Sequence, residues 1–598
     1  MKNMDILFIG AVMNYDGSVG SLANYIKQDN KWITPHQYIY RKRPELFGDE
    51  ARASVYDVPN LSISKLADHL ARYVDNFSYH IVWHFDYHKE EVLDILRNNP
   101  PHLVAISTTL AFYPQFLCDA IKWVQQNKRP ETKVVIGGKW ILDQYKTYGS
   151  SRKLERVLSD TDTDYAVINE FGEETLRKLL LAMRAGDVGR ALALENIAYR
   201  TQERLTARAS DTFATNQISE INPKTTSSLS CPERPTDSTD SLDSAGLAIY
   251  QGKKYFINPI VSEGLQPGNP MIDFNNIGER FLSDTAHVRT CSSCPFKCKF
   301  CTFPVLSGKH ILFDLDAVLL QLNQLKQKGV KALFFIDDTF NVPRRRFEQL
   351  LDRMIDADLG MEWVSFYRPQ YANDEITRKM YTAGCRMVFC GFESGNDRIL
   401  KLMNKKVTVA QYMEGLEYLR RSNIISLASY IIGYPGETYE TAMDTLKLID
   451  SPLVDFSRGS LFYYDTHSPV AEMAEEFQLT GSGAEWSHTT MNHKQAQKIH
   501  FEMLDKLKGV NIPVSDGGGW SIFNLYAKGL SWDDIKQYYR EFNAIQRQQI
   551  HEQGSAALDG YRAHARKKIQ AMREQKHRDA ELTSGDRLLV GEKSVPEF

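Results

Sequence analysis

The sequence predicts an α/β protein with two strand–helix units in series and a helical region after them. Three observations carry that prediction. Short apolar runs alternate with amphipathic helical patterns over residues 1–200 and again over 286–465. A stretch rich in Ser, Thr, Asp and Pro at 206–245 has little periodicity and reads as a long surface connection. Beyond 466 the patterns are helical, amphipathic and highly charged. The expected organisation is therefore a first unit over 1–200, a linker over 201–285, a second unit over 286–465, and a mostly helical C-terminal region over 466–598.

In the first unit, Asp5 to Gly10, Leu103 to Ser107, Lys133 to Ile136 and Asp164 to Ile168 read as short buried strands, with helices over 116–127 and 174–185. This is the pattern of a doubly wound, Rossmann-like sheet, whose ligands bind at the C-terminal strand ends. Hydroxyls and glycines gather there: Ser107-Thr108-Thr109, Gly137-Gly138-Lys139, and Glu170-Phe171-Gly172-Glu173. The G-x-G-x-x-G fingerprint is absent, which lowers a dinucleotide reading.

In the second unit, strands are expected at 287–290, 331–336, 361–366, 386–392, 424–432 and 454–463. Helices are expected at 315–328, 344–358, 374–383, 409–422 and 438–449. Six such units make a partial (βα)6 barrel, and polar groups at its C-terminal strand ends share one mouth. Those groups are Asp337-Asp338, Arg368, Glu393 and Gly433-Tyr434. Acids after strands can instead cap helices, a reading that suits Glu437-Thr438 best, and two adjacent carboxylates can simply be solvated. In the C-terminal region, helices are expected at 493–508, 532–550 and 556–577. Tyr463-Tyr464-Asp465 and Trp486 to Met491 are read either as core or as lining of a substrate pocket over the barrel mouth.

The chain has 598 residues, 42% of them hydrophobic and 25% charged, with 72 Lys plus Arg against 75 Asp plus Glu. That balance favours neither nucleic acid nor an anionic membrane as partner. The apolar run from Ile6 to Met13 is far shorter than the roughly 20 residues of a membrane span, and no cleavage pattern follows it. Eight cysteines are too few for a disulfide scaffold, so reduced thiols and a cytoplasmic location are expected.

Four of those cysteines lie in Cys291-Ser-Ser-Cys294-Pro-Phe-Lys-Cys298-Lys-Phe-Cys301. Three soft thiolates in one short loop suit a metal centre. Zinc normally takes paired C-x2-C or histidine ligands, and none follows 301 closely. A [4Fe–4S] cluster normally has four cysteine ligands, so three would leave one iron open.

This C-x3-C-x2-C, with the aromatic Phe300 before its last cysteine, resembles the signature of the radical S-adenosylmethionine (SAM) superfamily. The resemblance implies Cys294, Cys298 and Cys301 as cluster ligands, with SAM chelating the open iron, and leaves Cys291 as a bystander. It places Asp337 or Asp338 at the SAM amino group, Arg368 and Glu393 near its ribose and carboxylate, and Ile432-Gly433-Tyr434 near its adenine. Asp338 and Arg368 are the expected catalytic residues. The chain departs from the superfamily's common Gly-Gly-Glu after the second strand.

The serine/threonine, Gly-Gly and Glu-x-Gly-Glu turns ahead of such a barrel look like the cobalamin-binding domain of the B12-dependent radical-SAM class. The resemblance implies corrin contacts from Ser107, Thr108, Thr109, Gly137, Gly138, Lys139, Glu170, Gly172 and Glu173. Asp86-Tyr87-His88 begins like the Asp-x-His-x-x-Gly motif that gives cobalt a histidine, but position 91 is Glu, so no histidine ligand is expected from it.

"FFIDDTFNVPRRRFEQLL", "SFYRPQYA", "LASYIIGYPGET" and "EWSHTTM" are similar to B12-dependent radical-SAM methyltransferases of the phosphinothricin-pathway P-methyltransferase type. That family implies methyl transfer through methylcobalamin to an unactivated carbon or phosphinate phosphorus of a natural-product or peptide precursor. It also implies an external electron donor such as flavodoxin or ferredoxin. Rearrangement, cyclisation or oxidation without methyl transfer is the alternative outcome of the same cofactor set. A methylthiotransferase would need a second cluster, and residues 1–200 contain only Cys118.

Overall fold

The computed structural model describes residues 4–12, 26–29, 31–47, 59–109, 114–148, 158, 163–169, 171–200, 247–250, 253–261, 271–513 and 520–552. Its first sheet has eight strands. From one edge to the other they are Tyr79–His84, Met4–Ala11, Pro101–Ser107, Lys133–Gly137, Tyr165–Val167, Ile197–Arg200, Lys253–Ile257 and Leu247–Tyr250. The first five run parallel, and the last three add an antiparallel edge.

The four strands expected from sequence are all present. Tyr79–His84 was not foreseen because its Tyr-His-Ile-Val-Trp-His pattern is that of a half-buried edge strand rather than an apolar run. The strands at 247–250 and 253–257 fall within the stretch read as a linker. The paired lysines Lys253-Lys254 break the apolar run of a strand that pairs on both sides, with Ile197–Arg200 and with the edge strand Leu247–Tyr250. Both faces of the sheet are covered. Helices Leu61–Tyr73 and Glu173–Ala185 pack on one, and Lys89–Asn98 and Pro114–Asn127 on the other.

The second sheet has seven strands, all paired in parallel: Thr285–Val288, Ala332–Phe335, Glu362–Tyr367, Cys385–Glu393, Ile425–Ile432, Phe456–Leu461 and Val510–Asn511. The first six match the six expected. The two-residue seventh is too short to give a periodic signal. Helices Leu315–Gln327, Arg344–Asp356, Asp374–Thr382, Val409–Arg421 and Tyr439–Ile449 form the outer layer. Alternate strand residues decide the rest. Leu333, Trp363, Val388 and Ala428 face those helices. Phe334, Val364, Phe389 and Leu427 face the opposite way, into the half-barrel. There they meet Ile522, Phe523, Tyr539 and Phe542 from Trp520–Ala527 and the helix over 532–552, together with Tyr38 and Ile39 of the helix Pro35–Lys42. Elements from both chain ends thus plug the half-barrel, and several of the strand residues they meet lie in the first half of each strand.

In the C-terminal region, helices stand at His493–Lys506, Trp520–Ala527 and 532–552. The expected helix at 556–577 lies outside the described residues. Trp486 to Met491 contributes to a three-stranded antiparallel sheet, Thr480–Ser482, Glu485–His488 and Met491–Asn492. Among the described residues no helix is long and apolar enough to cross a membrane.

Candidate active site

The cysteine loop follows the first barrel strand, Thr285–Val288, through Arg289 and Thr290, and is anchored from the end of the second. Asp337 is fully buried and accepts three hydrogen bonds: Thr290 N at 2.7 Å, Thr290 Oγ1 at 2.6 Å and Cys291 N at 3.0 Å. Burial raises its pKa and those donors oppose the rise. Asp337 therefore holds the start of the loop and has little left to offer a ligand. Asp338, next to it, is half-buried. Burial pushes it up to about 6, opposed by Arg289 and Lys139 and reinforced by Asp337.

The three motif thiols share one environment. Cys294 Sγ lies 3.3 Å from Thr339 Oγ1, and Cys298 Sγ accepts from Arg368 Nη2 at 3.5 Å. Burial pushes Cys301 up to about 11, opposed by the backbone at Phe303 and reinforced by Cys298 and Cys294. No three His, Cys, Asp or Glu side chains among the described residues are gathered around a single-metal position. A cuboidal cluster asks for something else, one thiolate per iron corner, and three neighbouring thiols with a cation against one of them fit it. Cys291 pairs with Leu312 in a short antiparallel ladder and its N–H donates to Asp337; burial followed by Asp337 and Asp338 drives its thiol far up.

Arg368 was expected near SAM. Its guanidinium contacts Cys298, donates to Lys405 O at 3.2 Å and lies 3.4 Å from the Phe296 ring centroid. It is thus a residue of the thiol environment. Glu393, at φ +65°, accepts from Lys405 Nζ at 2.8 Å in a buried pair. Lys405 also sits 5.5 Å from the Phe300 ring, so Phe300 and Glu393 meet the same cation. Sequence reasoning missed Lys405, Phe296, Arg289 and Thr290. The position of Arg289-Thr290 at a strand end directly before the cysteines was the available signal for the last two.

Ile432, Gly433 and Tyr434 end the fifth strand as a tightly packed corner. Gly433 has φ +94°, and a Cβ there would stand 2.4 Å from Trp486. Trp486 donates to Phe462 O at 2.7 Å and stacks on His488, whose Nε2 lies 3.0 Å from Gly433 O. Trp486 and His488 are therefore core, as is Tyr464, while Tyr463 is exposed. The helix-capping reading holds for Thr438, which caps Tyr439–Ile449.

Glu437 accepts from Gly433 N at 2.5 Å. Burial pushes its carboxyl from 4.5 up to about 8. The folded state thus binds this proton more tightly than the unfolded chain does. The contribution favours folding below about pH 4.5 and is lost as pH rises through about 8. Replacing Glu437 with Gln is expected to give a melting-temperature advantage over the parent that grows between pH 5 and 8 and then levels. A difference constant with pH, read by calorimetry, contradicts this.

A cavity of about 390 Å³ lies between the C-terminal ends of the first sheet and the cysteine loop. Its first wall carries Ser107, Thr109, Gly137, Gly138, Lys139, Gly172 and Glu173, and its second carries Arg289, Ser292, Phe303, Ser307 and Phe313. Thr108, also expected here, is fully buried behind the wall and donates to Gly137 O at 3.0 Å, so it shapes the turn rather than the cavity. Glu170 lies outside the described residues. Gly138, at φ +119°, has no room for a side chain, since a Cβ would stand 2.8 Å from Thr109 Oγ1. Lys139 crosses the cavity, placing Nζ 4.5 Å from the Phe303 ring centroid. Glu173 pairs with Lys65 at 2.8 Å. His88 is elsewhere, with Nδ1 2.9 Å from His84 O. A glycine floor, a hydroxyl rim and an apolar wall fit a large flat ligand.

Residues 288–449 match the model of the Radical SAM superfamily, and this segment is a radical SAM domain. An uncharacterized methyltransferase of Pyrococcus horikoshii is 30% identical over 176 residues, which are 29% of this chain and 38% of that protein. The ribosomal protein uS12 methylthiotransferase RimO of Thermosipho melanesiensis is 30% identical over 244 residues, 38% of this chain and 55% of that protein. The chain thus spans between about two fifths and just over half of these relatives' lengths. Among solved structures, the radical SAM methyltransferase TsrM of Kitasatospora setae, with cobalamin and a [4Fe–4S] cluster bound, aligns over 79% of this chain and 75% of its own. The identity is 13% and the TM-score 0.48.

Proposed function

We propose that the chain is a cobalamin- and [4Fe–4S]-dependent radical SAM methyltransferase. It would methylate an unactivated carbon or phosphinate phosphorus of a natural-product or peptide precursor, with a flavodoxin or ferredoxin as electron donor. The observation that carries this reading is the shared cavity, which has the glycine-rich strand ends on one wall and the residues flanking the cysteine loop on the other. When bound, the cluster with SAM would supply a radical and the corrinoid would carry the methyl group. Cys294, Cys298 and Cys301 would hold the cluster, with Arg368 supplying a hydrogen bond and positive charge to Cys298. Ser107, Thr109, Gly137, Gly138, Lys139, Gly172 and Glu173 would hold the corrinoid. Asp338 is the half-buried acid assigned to the SAM ammonium. The methylthiotransferase activity named for RimO would require a second cluster, for which residues 1–200 offer only Cys118.

The two acids separate by experiment. Asp338→Asn is expected to fold like the parent and to lower 5′-deoxyadenosine formation about 10- to 100-fold, the worth of one charged hydrogen bond. Asp337→Ala is expected to lower the melting temperature, because it strands two buried N–H groups and a hydroxyl. Equal turnover in Asp338→Asn would remove that residue from the site. A product lacking the added mass of one methyl group would overturn methyl transfer.

A further inference from the structure

Lysines ring the cysteine loop on its outer side, and nothing in the proposed reaction uses them. Lys297 and Lys299 flank Cys298 in the chain. The loop is pinned to residues 403–404 by Lys299 N to Met403 O at 2.9 Å and by Asn404 Nδ2 to Lys297 O at 2.7 Å. That pinning brings the chain around Lys401 and Lys406 to the same edge. Lys297, Lys401 and Lys406 are exposed and Lys299 is half-buried. Among the described residues none of the four is in an ion pair. Lys405, between them, is buried against Glu393 and does not belong to the exposed set. Residues 295–301 contain no acid, and 397–406 contain only Asp397, whose Oδ1 accepts from Val409 N at 2.8 Å.

A chain of net charge −3 therefore concentrates unpaired positive charge around the loop carrying its buried Cys298. Such a patch raises the encounter rate with a partner of opposite charge. We infer that Lys297, Lys299, Lys401 and Lys406 form the docking surface for an acidic protein carrying a low-potential one-electron centre. This rests on the reading that Cys294, Cys298 and Cys301 hold the cluster. The step is a one-electron transfer. The carrier is oxidised by one electron, the cluster is reduced by one, and no covalent bond forms or breaks.

The test compares the full-length protein, anaerobically purified, with its Lys401→Glu/Lys406→Glu double variant, using flavodoxin as the acidic probe. Binding of oxidised flavodoxin is expected to weaken about tenfold or more in the variant and to lose most of its salt dependence. Reduction by flavodoxin hydroquinone should slow in proportion, while reduction by titanium(III) citrate, followed by electron paramagnetic resonance, stays at the parent rate. Equal flavodoxin binding by parent and variant, or parent binding indifferent to salt, overturns the docking surface. A parent that titanium(III) citrate cannot reduce overturns the cluster instead, and the binding comparison still decides the surface.

Discussion

Replacing Cys298 with alanine is expected to abolish 5′-deoxyadenosine formation and to strip most iron from the protein. Cys298 is buried, and its sulfur accepts from Arg368, a guanidinium fixed by Lys405 O and the Phe296 face. Loss of that thiolate removes one of only three ligands and leaves a buried cation facing an empty position. The control is Cys291→Ala. Cys291 sits in the short strand pair with Leu312, its N–H bonded to Asp337, and it lies outside the C-x3-C-x2-C spacing. Its variant should keep both iron and turnover. Normal turnover in Cys298→Ala, or iron loss in Cys291→Ala equal to that in Cys298→Ala, would break the assignment of ligands.

Replacing Gly137 with leucine is expected to weaken corrinoid binding by about 100-fold or more while leaving the iron content intact. A Cβ at Gly137 would lie 3.6 Å from Val167 Cβ, ordinary contact, so the backbone tolerates a side chain there. A leucine must then project into a cavity of about 390 Å³, where a displaced ligand group loses its packing outright. Gly138 is the wrong position for this test, because at φ +119° any side chain is strained and the variant would report on folding. Corrinoid uptake by Gly137→Leu equal to the parent's would place the ligand elsewhere.

What was legible in the sequence was whatever local spacing encodes. The C-x3-C-x2-C loop needs only three cysteines within 294–301 to be read, and the six barrel strands announce themselves by apolar runs between helical periods. The polar turns at Ser107 and Gly137 are legible for the same reason, since they follow such runs. What was hidden depends on which side chain the tertiary structure buries. Asp337 and Asp338 are equivalent on paper, and only the approach of Thr290 and Cys291 commits the first to the loop. Arg368 sits at a strand end as expected, but its partner Phe296 is 72 residues earlier in the chain. Trp486 and His488 read either as core or as pocket lining, because aromatics with donors suit both. The bare Cα of Gly433 is what draws them into the core. The edge strand at 79–84 and the inner strand at 253–257 lacked the apolar run that would have marked them.

The central claim is that one chain holds an iron–sulfur cluster and a corrinoid on facing walls of one cavity. The most direct measurement is the iron, sulfide and corrinoid content of protein purified anaerobically from cells supplied with hydroxocobalamin. The account predicts about four irons and one corrinoid per chain. Four irons without a corrinoid would leave a radical SAM domain but contradict the reading of the Gly137 wall, and methyl transfer with it.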